Sequence, residues 1–567
     1  MKIHSLDPTL SVSPQLLPGD MVAVAAAGFR SIICNRPDGE AADQPSAATV
    51  GAAARSTGLQ FEALPVVAGD ITDADVARFR QLLGTLPGPV LAFCRTGTRA
   101  AMLWALDQAG QRSPEALIET AGAAGYDLKP LYARLVAARS RGSASTVSAC
   151  EVLIVGGGAA GLATAASLLK RRPGTNVVVV DPSDTHYYQP GWTMIGGGIF
   201  RPEQTYRAME SVVPRGVTWI RAAAVQFDVG ESEVDLSDGR RMRYDVLVVA
   251  TGLKLDWDAI PGLRESLGQH GVTSNYDLKT ATYTWKLVSE LKQGTALFTQ
   301  PPMPIKCAGA PQKAMYLSGS HWLEAGRLND IHIEFHNAGA VLFGVKEYVP
   351  ALMEYVARYH ADLHFGSRLI AVDGPGHQAT FAVSSADGSI SEVTRGFDML
   401  HVCPPQRPVD VISTSPLAGD GGWIDVDPAT LRHRRYANVF ALGDIAGTSN
   451  AKTAAAARKQ APVVAENVSA LLGDRPLRAQ YDGYGSCPLT VERGKIVLAE
   501  FGYGGKLMPT FPGWLIDGTR PSRLAWYLKE EILPELYWKC MLRGREWLCE
   551  PALIDEKVTA MTGLDNR

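Results

Sequence analysis

The chain of 567 residues lacks any Cys-x-x-Cys pair, although it carries eight cysteines: Cys34, Cys94, Cys150, Cys307, Cys403, Cys487, Cys540 and Cys549. Without that spacing no metal site, structural zinc included, is expected. Eight thiols over this length are also too sparse for a disulfide scaffold. No basic run stands out and the formal net charge is −3, so no nucleic-acid partner is expected. No apolar window of about 18 residues runs uninterrupted, which argues against a membrane-spanning helix. Met1 to Leu10 has no basic segment leading into an apolar one, and no secretory or organelle signal is expected there. What is present is a globular composition, 46% hydrophobic and 20% charged, in a chain long enough for two or three domains. In a reducing compartment the question becomes which thiols react.

A small α/β unit is expected over 1–110, with strands at Met21–Ala25, Ser31–Cys34, Gln60–Val67 and Val90–Phe93 and a helix over Thr72–Leu83. A helical linker is expected over 111–149, ending in the Ser/Gly/Thr stretch Ser140–Ser148. A larger α/β oxidoreductase region follows over 150–505, and an aromatic C-terminal region over 506–567.

Val155–Gly161 reads Val-Gly-Gly-Gly-Ala-Ala-Gly, between the apolar strand Val152–Val155 and an alanine-rich helix starting near Ala159. Gly156 permits the tight turn, Gly158 lets the backbone approach a pyrophosphate, and Gly161 lets the helix pack on the strand. The helix aims its first amides at the phosphates. Strand Val177–Val180 ends at Asp181, 20 residues after Gly161, where a carboxylate accepts from a ribose. A lone GxGxxG is also compatible with a chance glycine turn; the two strands and the acid make it a dinucleotide site. Tyr244–Gly252 (YDVLVVATG) and Asn438–Asp444 (NVFALGD) are two further strands ending in small-residue turns. Each alone is an ordinary strand end. Together they resemble the Ala-Thr-Gly crossover and late Gly-Asp of flavoproteins with two dinucleotide-binding domains. That resemblance implies FAD, held by Thr251, Gly252, Gly443 and Asp444, with Gln189 and Lys452 counted in the same set.

A pyridine-nucleotide reductase of this class carries a second GxGxxG near residues 295–315. Here Ala296–Lys313 reads ALFTQPPMPIKCAGAPQK. Proline has no N–H to cradle a phosphate and fixes the chain away from that turn. NADH is therefore not the expected donor, and the flavin is expected to be reduced at Cys307.

Three segments resemble the signatures of sulfide:quinone oxidoreductases, nearest to the branch that includes the mitochondrial enzymes. They are His186–Gly198 (HYYQPGWTMIGGG), Lys306–Lys313 (KCAGAPQK) and Tyr481–Leu489 (YDGYGSCPL), within a match over roughly Glu151–Arg545. The resemblance implies a Rossmann-like FAD flavoprotein in which Cys307 and Cys487 form a disulfide or sulfur-bridged pair beside the flavin. Alone, either cysteine is more often a buried small apolar residue. Hydrogen sulfide, as hydrosulfide, would attack the pair by thiol–disulfide exchange. By the same resemblance Cys307 carries the persulfide and Cys487 attacks the flavin. Ubiquinone or another membrane quinone takes the electrons, and glutathione, sulfite or a second sulfide takes the outer sulfur. Lys313 lies in the motif, where a cation lowers a thiol pKa and holds the anion. Lys306 reads equally well as a surface lysine. Cys403 reads as structural, with a third sulfur-handling thiol as the alternative, and Cys540 and Cys549 as packed in C-terminal helices.

The C-terminal part sets Phe511, Trp514, Trp526, Tyr527, Tyr537, Trp538 and Trp547 beside Arg543 and Arg545. That mixture suits a monotopic surface at the lipid interface; a helix pair packed on the core is the alternative. The resemblance adds membrane-associating helices and a quinone pocket with Phe501, Lys529, Tyr537 and Trp538. The location it implies is peripheral, on the cytoplasmic face of the inner membrane.

In the N-terminal unit, Cys94 to Arg99 (Cys-Arg-Thr-Gly-Thr-Arg) follows a buried strand and precedes an apolar helix. Loop amides, a helix N-terminus and arginines would stabilise a thiolate and a bound oxyanion. Tyrosine phosphatases use a longer loop of this design; the shorter one resembles rhodanese-type sulfurtransferases, with Cys94 carrying a persulfide. The wider domain resembles the phosphatase-like family found with bacterial sulfide-oxidation proteins. Sulfurtransferase, phosphatase and inactive domain all stay open. Asp70 is a general acid or, better, a cap for the following helix. For the whole chain the alternatives are an NAD(P)H:quinone-type reductase with a tyrosine-phosphatase-like N-terminus, and a non-catalytic persulfide sensor.

Overall fold

The computed structural model describes residues 2–554 apart from 42, 68, 70, 111, 143–146 and 386, with backbone only at 137 and 139–142. The chain forms two compact units, Met1–Ser148 with Ala223–Arg243, and Ala149–Ala222 with Tyr244–Arg567.

The first unit is built on a five-stranded sheet in the order His4–Ser5, Leu10–Ser13, Val90–Phe93, Ser31–Cys34, Gln60–Ala63. Beyond the antiparallel first pair the strands run parallel. Val90–Phe93 and Ser31–Cys34 are buried along their whole length, because apolar side chains meet each face. Ile33, Val90 and Ala92 pack with Phe79 and Trp104, while Ile32, Leu91 and Phe93 pack with Met21, Val24 and Val50. Met21–Ala26 is a helix, where the sequence suggests a strand. Its buried residues, Met21 and Val24, sit three apart on one helical face, and so short a run of Val and Ala carries both periods. The third expected strand, Gln60–Val67, ends early, at Ala63. Helix Asp73–Thr85 is capped by Thr72, whose side chain accepts from the Asp75 amide; Asp70 lies outside the described residues. Helices Pro114–Ala123 and Tyr132–Gly142 belong to this unit, where the sequence suggests a connecting stretch. Leu117 and Ala121 of the first, Leu135 of the second, and Leu128 and Leu131 between them turn apolar side chains into the core around Trp104.

The second unit holds two parallel sheets. One runs Val217–Ile220, Val177–Val180, Val147–Val155, Arg241–Val249, and Val439–Ala441 pairs with the last of these. The other runs Val272–Thr273, Met399–His401, Gly294–Gln300, Ile331–Asn337, Asp362–Phe365. These are two Rossmann-like sheets, with ligand-bearing loops expected at the carboxyl ends of their strands. A hairpin, Gly485–Glu492 with Lys495–Phe501, packs Cys487, Leu489 and Val497 into the core around Phe298 and Trp322. The C-terminal helical run Arg523–Tyr527, Leu528–Ile532 and Leu533–Lys539 passes through a π-helical turn at its middle segment. Among the described residues no helix is long and apolar enough to cross a membrane.

Candidate functional site

Strand Val147–Val155 runs into Gly156, whose φ of 111° favours glycine and where a Cβ would collide with the Ala250 carbonyl. A Cβ on Gly161 would strike the Gly156 carbonyl, which ties helix Ala159–Arg171 closely to the strand. At Gly158 a Cβ would meet nothing within 4 Å, so the helix N-terminus opens to space. Asp181 stands at the next strand end, accepting from the Gly157 amide at 2.7 Å and the Ser183 amide at 2.8 Å, and burial raises its pKa. The Thr251 hydroxyl is buried with no partner, and Gly252 beside it has φ 72°. The Gly443 amide donates to Gln460 Oε1 at 2.8 Å. Burial pushes the Asp444 carboxyl upward, against the pull of Lys306 and Lys452. Lys452 donates to the carbonyls of Asp444 at 2.7 Å and Ala446 at 2.8 Å, lies over the Trp423 ring, and is brought down to about 8 by burial. An orphaned hydroxyl, an open glycine at a helix N-terminus and a carboxylate on the adjacent strand fit a dinucleotide.

The sulfur site begins where strand Gly294–Gln300 gives way to Pro301 and Pro302. Cys307 adopts a left-handed φ of 49°, which costs a non-glycine residue about 1–2 kcal/mol. Its amide donates to the Lys452 carbonyl at 2.8 Å, and its carbonyl accepts from the Ala310 amide at 2.7 Å and the Tyr276 hydroxyl at 3.4 Å. Helix Ala310–Glu324 starts just beyond. Cys487 comes from the hairpin, and the two sulfurs are 3.9 Å apart. That approach depends on Gly309, where a Cβ would lie 2.5 Å from the Cys487 sulfur.

Lys313, only 2% exposed, donates to the Cys307 sulfur at 3.3 Å. The hydrogen bond from Cys487, followed by the Lys313 charge, holds the Cys307 thiol well below its usual range against its burial. The same pairing, with burial, pushes Cys487 well above it. Burial acts to lower Lys313, but both cysteines raise it overall. In the reduced pair these shifts favour negative charge on Cys307, matched by Lys313, and the proton on Cys487. Lys529, 3% exposed in the π-helical turn, donates to the Pro190 carbonyl at 3.0 Å. Burial and then Lys313 bring it to about 7, within electrostatic reach of both cysteines.

Lys306, for which the sequence leaves a surface role open, donates to Gln189 Oε1 at 2.6 Å and faces the Trp192 and Tyr276 rings. Through Lys306, Lys452 and Asp444 the expected cofactor residues and the sulfur pair form one connected cluster. Cys403 is buried near it; burial lifts its thiol to about 12, and it lines a cavity of about 480 Å³ with Gln300, Pro301 and Pro302. Tyr537 and Trp538, expected at the quinone and membrane end, are buried against His186 and Tyr188. The exposed aromatics of this region are Trp514, at 85%, with Tyr527 and Trp547. Phe501 is half-buried and edge-on to Phe343. His186 was missed as a site residue, although it opens a recognised motif. Its Nδ1 lies 3.0 Å from the Gly157 carbonyl and its Nε2 2.6 Å from the Tyr537 hydroxyl, and burial lowers it to about 4.

Glu334, His336 and His364 bring ligand-type atoms within 4.8 Å of one another. The two imidazoles stack at 15°, so their in-plane lone pairs run parallel rather than converge, and Arg395 approaches Glu334 at 3.5 Å. Glu334 is a buried carboxylate paired with Arg395 and hydrogen-bonded to His336, whose own burial lowers it to about 4.

In the first unit Cys94 directly follows strand Val90–Phe93, and its sulfur accepts from the Gly97 amide at 3.2 Å. Gly97 has φ 94°, and a Cβ there would collide with the Tyr126 hydroxyl. Arg99 heads helix Thr98–Gln108 and is buried; it donates to Glu40 through Nη1 at 2.6 Å and Nη2 at 2.8 Å, and to the Val66 carbonyl at 2.7 Å. Glu40 and Arg36 were missed by the sequence reading, though Asn35-Arg-Pro-Asp-Gly-Glu40 directly follows a buried strand.

Two Rossmann-like sheets, a dinucleotide turn and two adjoining buried thiols are the parts of a flavoprotein oxidoreductase. Residues 150–300 match the pyridine nucleotide-disulphide oxidoreductase family, and residues 2–111 match the beta-lactamase hydrolase-like protein, phosphatase-like domain. The chain is 39% identical over 398 residues, 70% of this chain and 86% of the relative, to sulfide:quinone oxidoreductase, mitochondrial, of Dictyostelium discoideum. It is 38% identical over 396 residues, with the same coverage, to the protein of that name from Mus musculus. The chain belongs to the sulfide:quinone oxidoreductase family: it is a flavin-dependent enzyme that oxidises sulfide and reduces quinone. The solved sulfide:quinone oxidoreductase of Aquifex aeolicus shares the fold at 18% identity and a TM-score of 0.59, over 73% of this chain and 95% of that one. The N-terminal part is 38% identical over 130 residues, 23% of this chain and 30% of the relative, to a beta-lactamase hydrolase-like protein of Xylella fastidiosa.

Proposed function

We propose that the flavin is FAD and that Cys307 and Cys487 are the sulfur-handling pair. In the oxidised pair hydrosulfide attacks the Cys307 sulfur; a new S–S bond forms there, the Cys307–Cys487 bond breaks, and its electrons leave on Cys487. Lys313 holds the anion and stabilises the thiolate that the exchange creates. The flavin supplies the two-electron relay between the sulfur pair and the quinone. Lys529 is the buried proton carrier on the quinone side. A thiol such as glutathione, or sulfite, attacks the outer sulfur of the Cys307 persulfide; that S–S bond breaks and its electron pair returns to Cys307 as thiolate, and the Cys307–Cys487 bond would re-form as the two thiolates give up two electrons to the flavin.

The observation that carries this reading is the 3.9 Å separation of two sulfurs with a buried ammonium 3.3 Å from one of them. Mixing the protein anaerobically with sulfide should bleach the flavin absorbance, and a soluble quinone should restore it. Cys307→Ser and Cys487→Ser should abolish the bleaching. Bleaching by NADH but not by sulfide would overturn the reading.

Trp514, Leu515, Tyr527 and Trp547 support peripheral attachment to the cytoplasmic face of the inner membrane, where the quinone is dissolved. Cys94, cradled by the Gly97 amide and Arg99, supports sulfane transfer by the N-terminal unit. There a Cys94 persulfide gives its outer sulfur to sulfite, forming thiosulfate.

A further inference from the structure

The six-residue loop from Cys94 to Arg99 is fastened at both ends, and both fastenings lead to one carboxylate. At the far end Glu40 takes Arg99 bidentately, at 2.6 and 2.8 Å. Its Oε2 also accepts from Arg36 Nε at 2.9 Å. Arg36 in turn donates to Gln15 Oε1 at 2.8 Å, and the Gln15 amide donates to the Arg95 carbonyl at 3.4 Å, at the near end of the loop. Bidentate pairing fixes the plane of a guanidinium as well as its position. With Nη1 shared between Glu40 and Val66, the edge of Arg99 formed by Nε and the second Nη2 hydrogen is the one left for Cys94, with which Arg99 interacts.

We propose that Glu40 is the positioning residue of the Cys94 site, setting Arg99 and the loop opening for an oxyanion that accepts sulfane sulfur. This rests on the reading of Cys94 as a sulfur carrier. In the step, a sulfite lone pair attacks the outer sulfur of the Cys94 persulfide. The S–S bond breaks, its electron pair returns to Cys94 as thiolate, and thiosulfate leaves. Arg99 holds sulfite oxygens during the attack.

Simple charge compensation of a buried arginine does not account for the arrangement. Glu40 keeps 26% of its side chain exposed and serves two guanidinium groups, so the cluster retains a net positive charge beside the thiol. The titratable and charged groups around Cys94 are Arg95 and Arg99 from its own loop, Cys34, Arg36, Asp38 and Glu40 from the strand and loop beside it, and Tyr126 behind Gly97. The hydrogen bond from Arg99 holds the Glu40 carboxyl down at about 2, so the clamp stays ionised throughout the working range of pH.

The test uses the full chain with glutathione persulfide as donor and sulfite as acceptor. Glu40→Ala should raise the KM for sulfite and lower kcat/KM by between about tenfold and a hundredfold. Mass spectrometry should still find Cys94 loading with sulfur at the wild-type level, because loading needs the thiolate and not the oxyanion clamp. Glu40→Gln keeps an acceptor for Arg99 and should recover part of the loss. Gln15→Ala, which cuts only the second arm, should give a smaller KM rise; it also serves if Glu40→Ala fails to fold. An unchanged KM for sulfite in both alanine variants, or loading lost in parallel with transfer, would overturn the proposal. Wild-type transfer by Cys94→Ser would instead reject the sulfur-carrier reading itself.

Discussion

Lys313 and Cys307 form a buried ion pair whose two halves make each other possible. A lysine 2% exposed keeps its proton only beside an anion, and a thiolate in the same place persists only beside a cation. Lys313→Met should therefore return the Cys307 thiol toward its ordinary range. Sulfide-driven flavin bleaching should slow by roughly tenfold to a hundredfold, because the thiolate that the exchange leaves on Cys487 loses its cation; an unchanged rate in stopped-flow measurements would exclude this role. Gly309→Ala tests the contact between the sulfurs. The added carbon would sit 2.5 Å from the Cys487 sulfur. Overpacking of this kind costs about 1–3 kcal/mol, yet bleaching should fall far more than thermal stability does. At this scale the sequence was informative where chemistry is linear. Cys307 and Lys313 share one motif and Cys487 sits in another. It was silent where an interaction joins distant residues: Gly309 against Cys487, His186 against Tyr537, Glu40 against Arg99.

Among the elements, the π-helical turn Leu528–Ile532 has the plainest physical consequence. It carries Lys529 inward, and burial brings that amine from its ordinary 10.5 to about 7. Between those values the unfolded chain binds the proton that the folded chain has released. Stability should therefore rise as pH climbs from about 7 toward 10.5, and the gain should be absent below pH 7. Lys529→Met should flatten that rise in urea melts at pH 7 and pH 9, and should remove a titration near pH 7 from the quinone-dependent return of flavin colour. The strands Val90–Phe93 and Val177–Val180 were legible because fully buried parallel strands are unbroken apolar runs. Met21–Ala26 was not, because six residues of Met, Val and Ala satisfy a strand and a helix alike, and packing on Val50 and Phe93 decides. The helices Pro114–Ala123 and Tyr132–Gly142 were misplaced for a related reason: alanine-rich surfaces hide a leucine stripe that only a partner reveals.

On the scale of the whole molecule, two chemistries share a chain. Quinone is dissolved in lipid, so the exposed apolar side chains Trp514, Leu515, Tyr527 and Trp547 should govern access to it. Replacing Trp514 and Trp547 with serine should weaken sedimentation with anionic lipid vesicles. Sulfide-driven bleaching should be untouched, because the sulfur pair draws on other residues. The turn after Gln300 has a wider consequence. Where a reductase would grip a second nucleotide, this chain has stiff rings without amide hydrogens. NADH should therefore leave the flavin coloured where sulfide bleaches it, which would keep the pyridine-nucleotide pool outside this electron path.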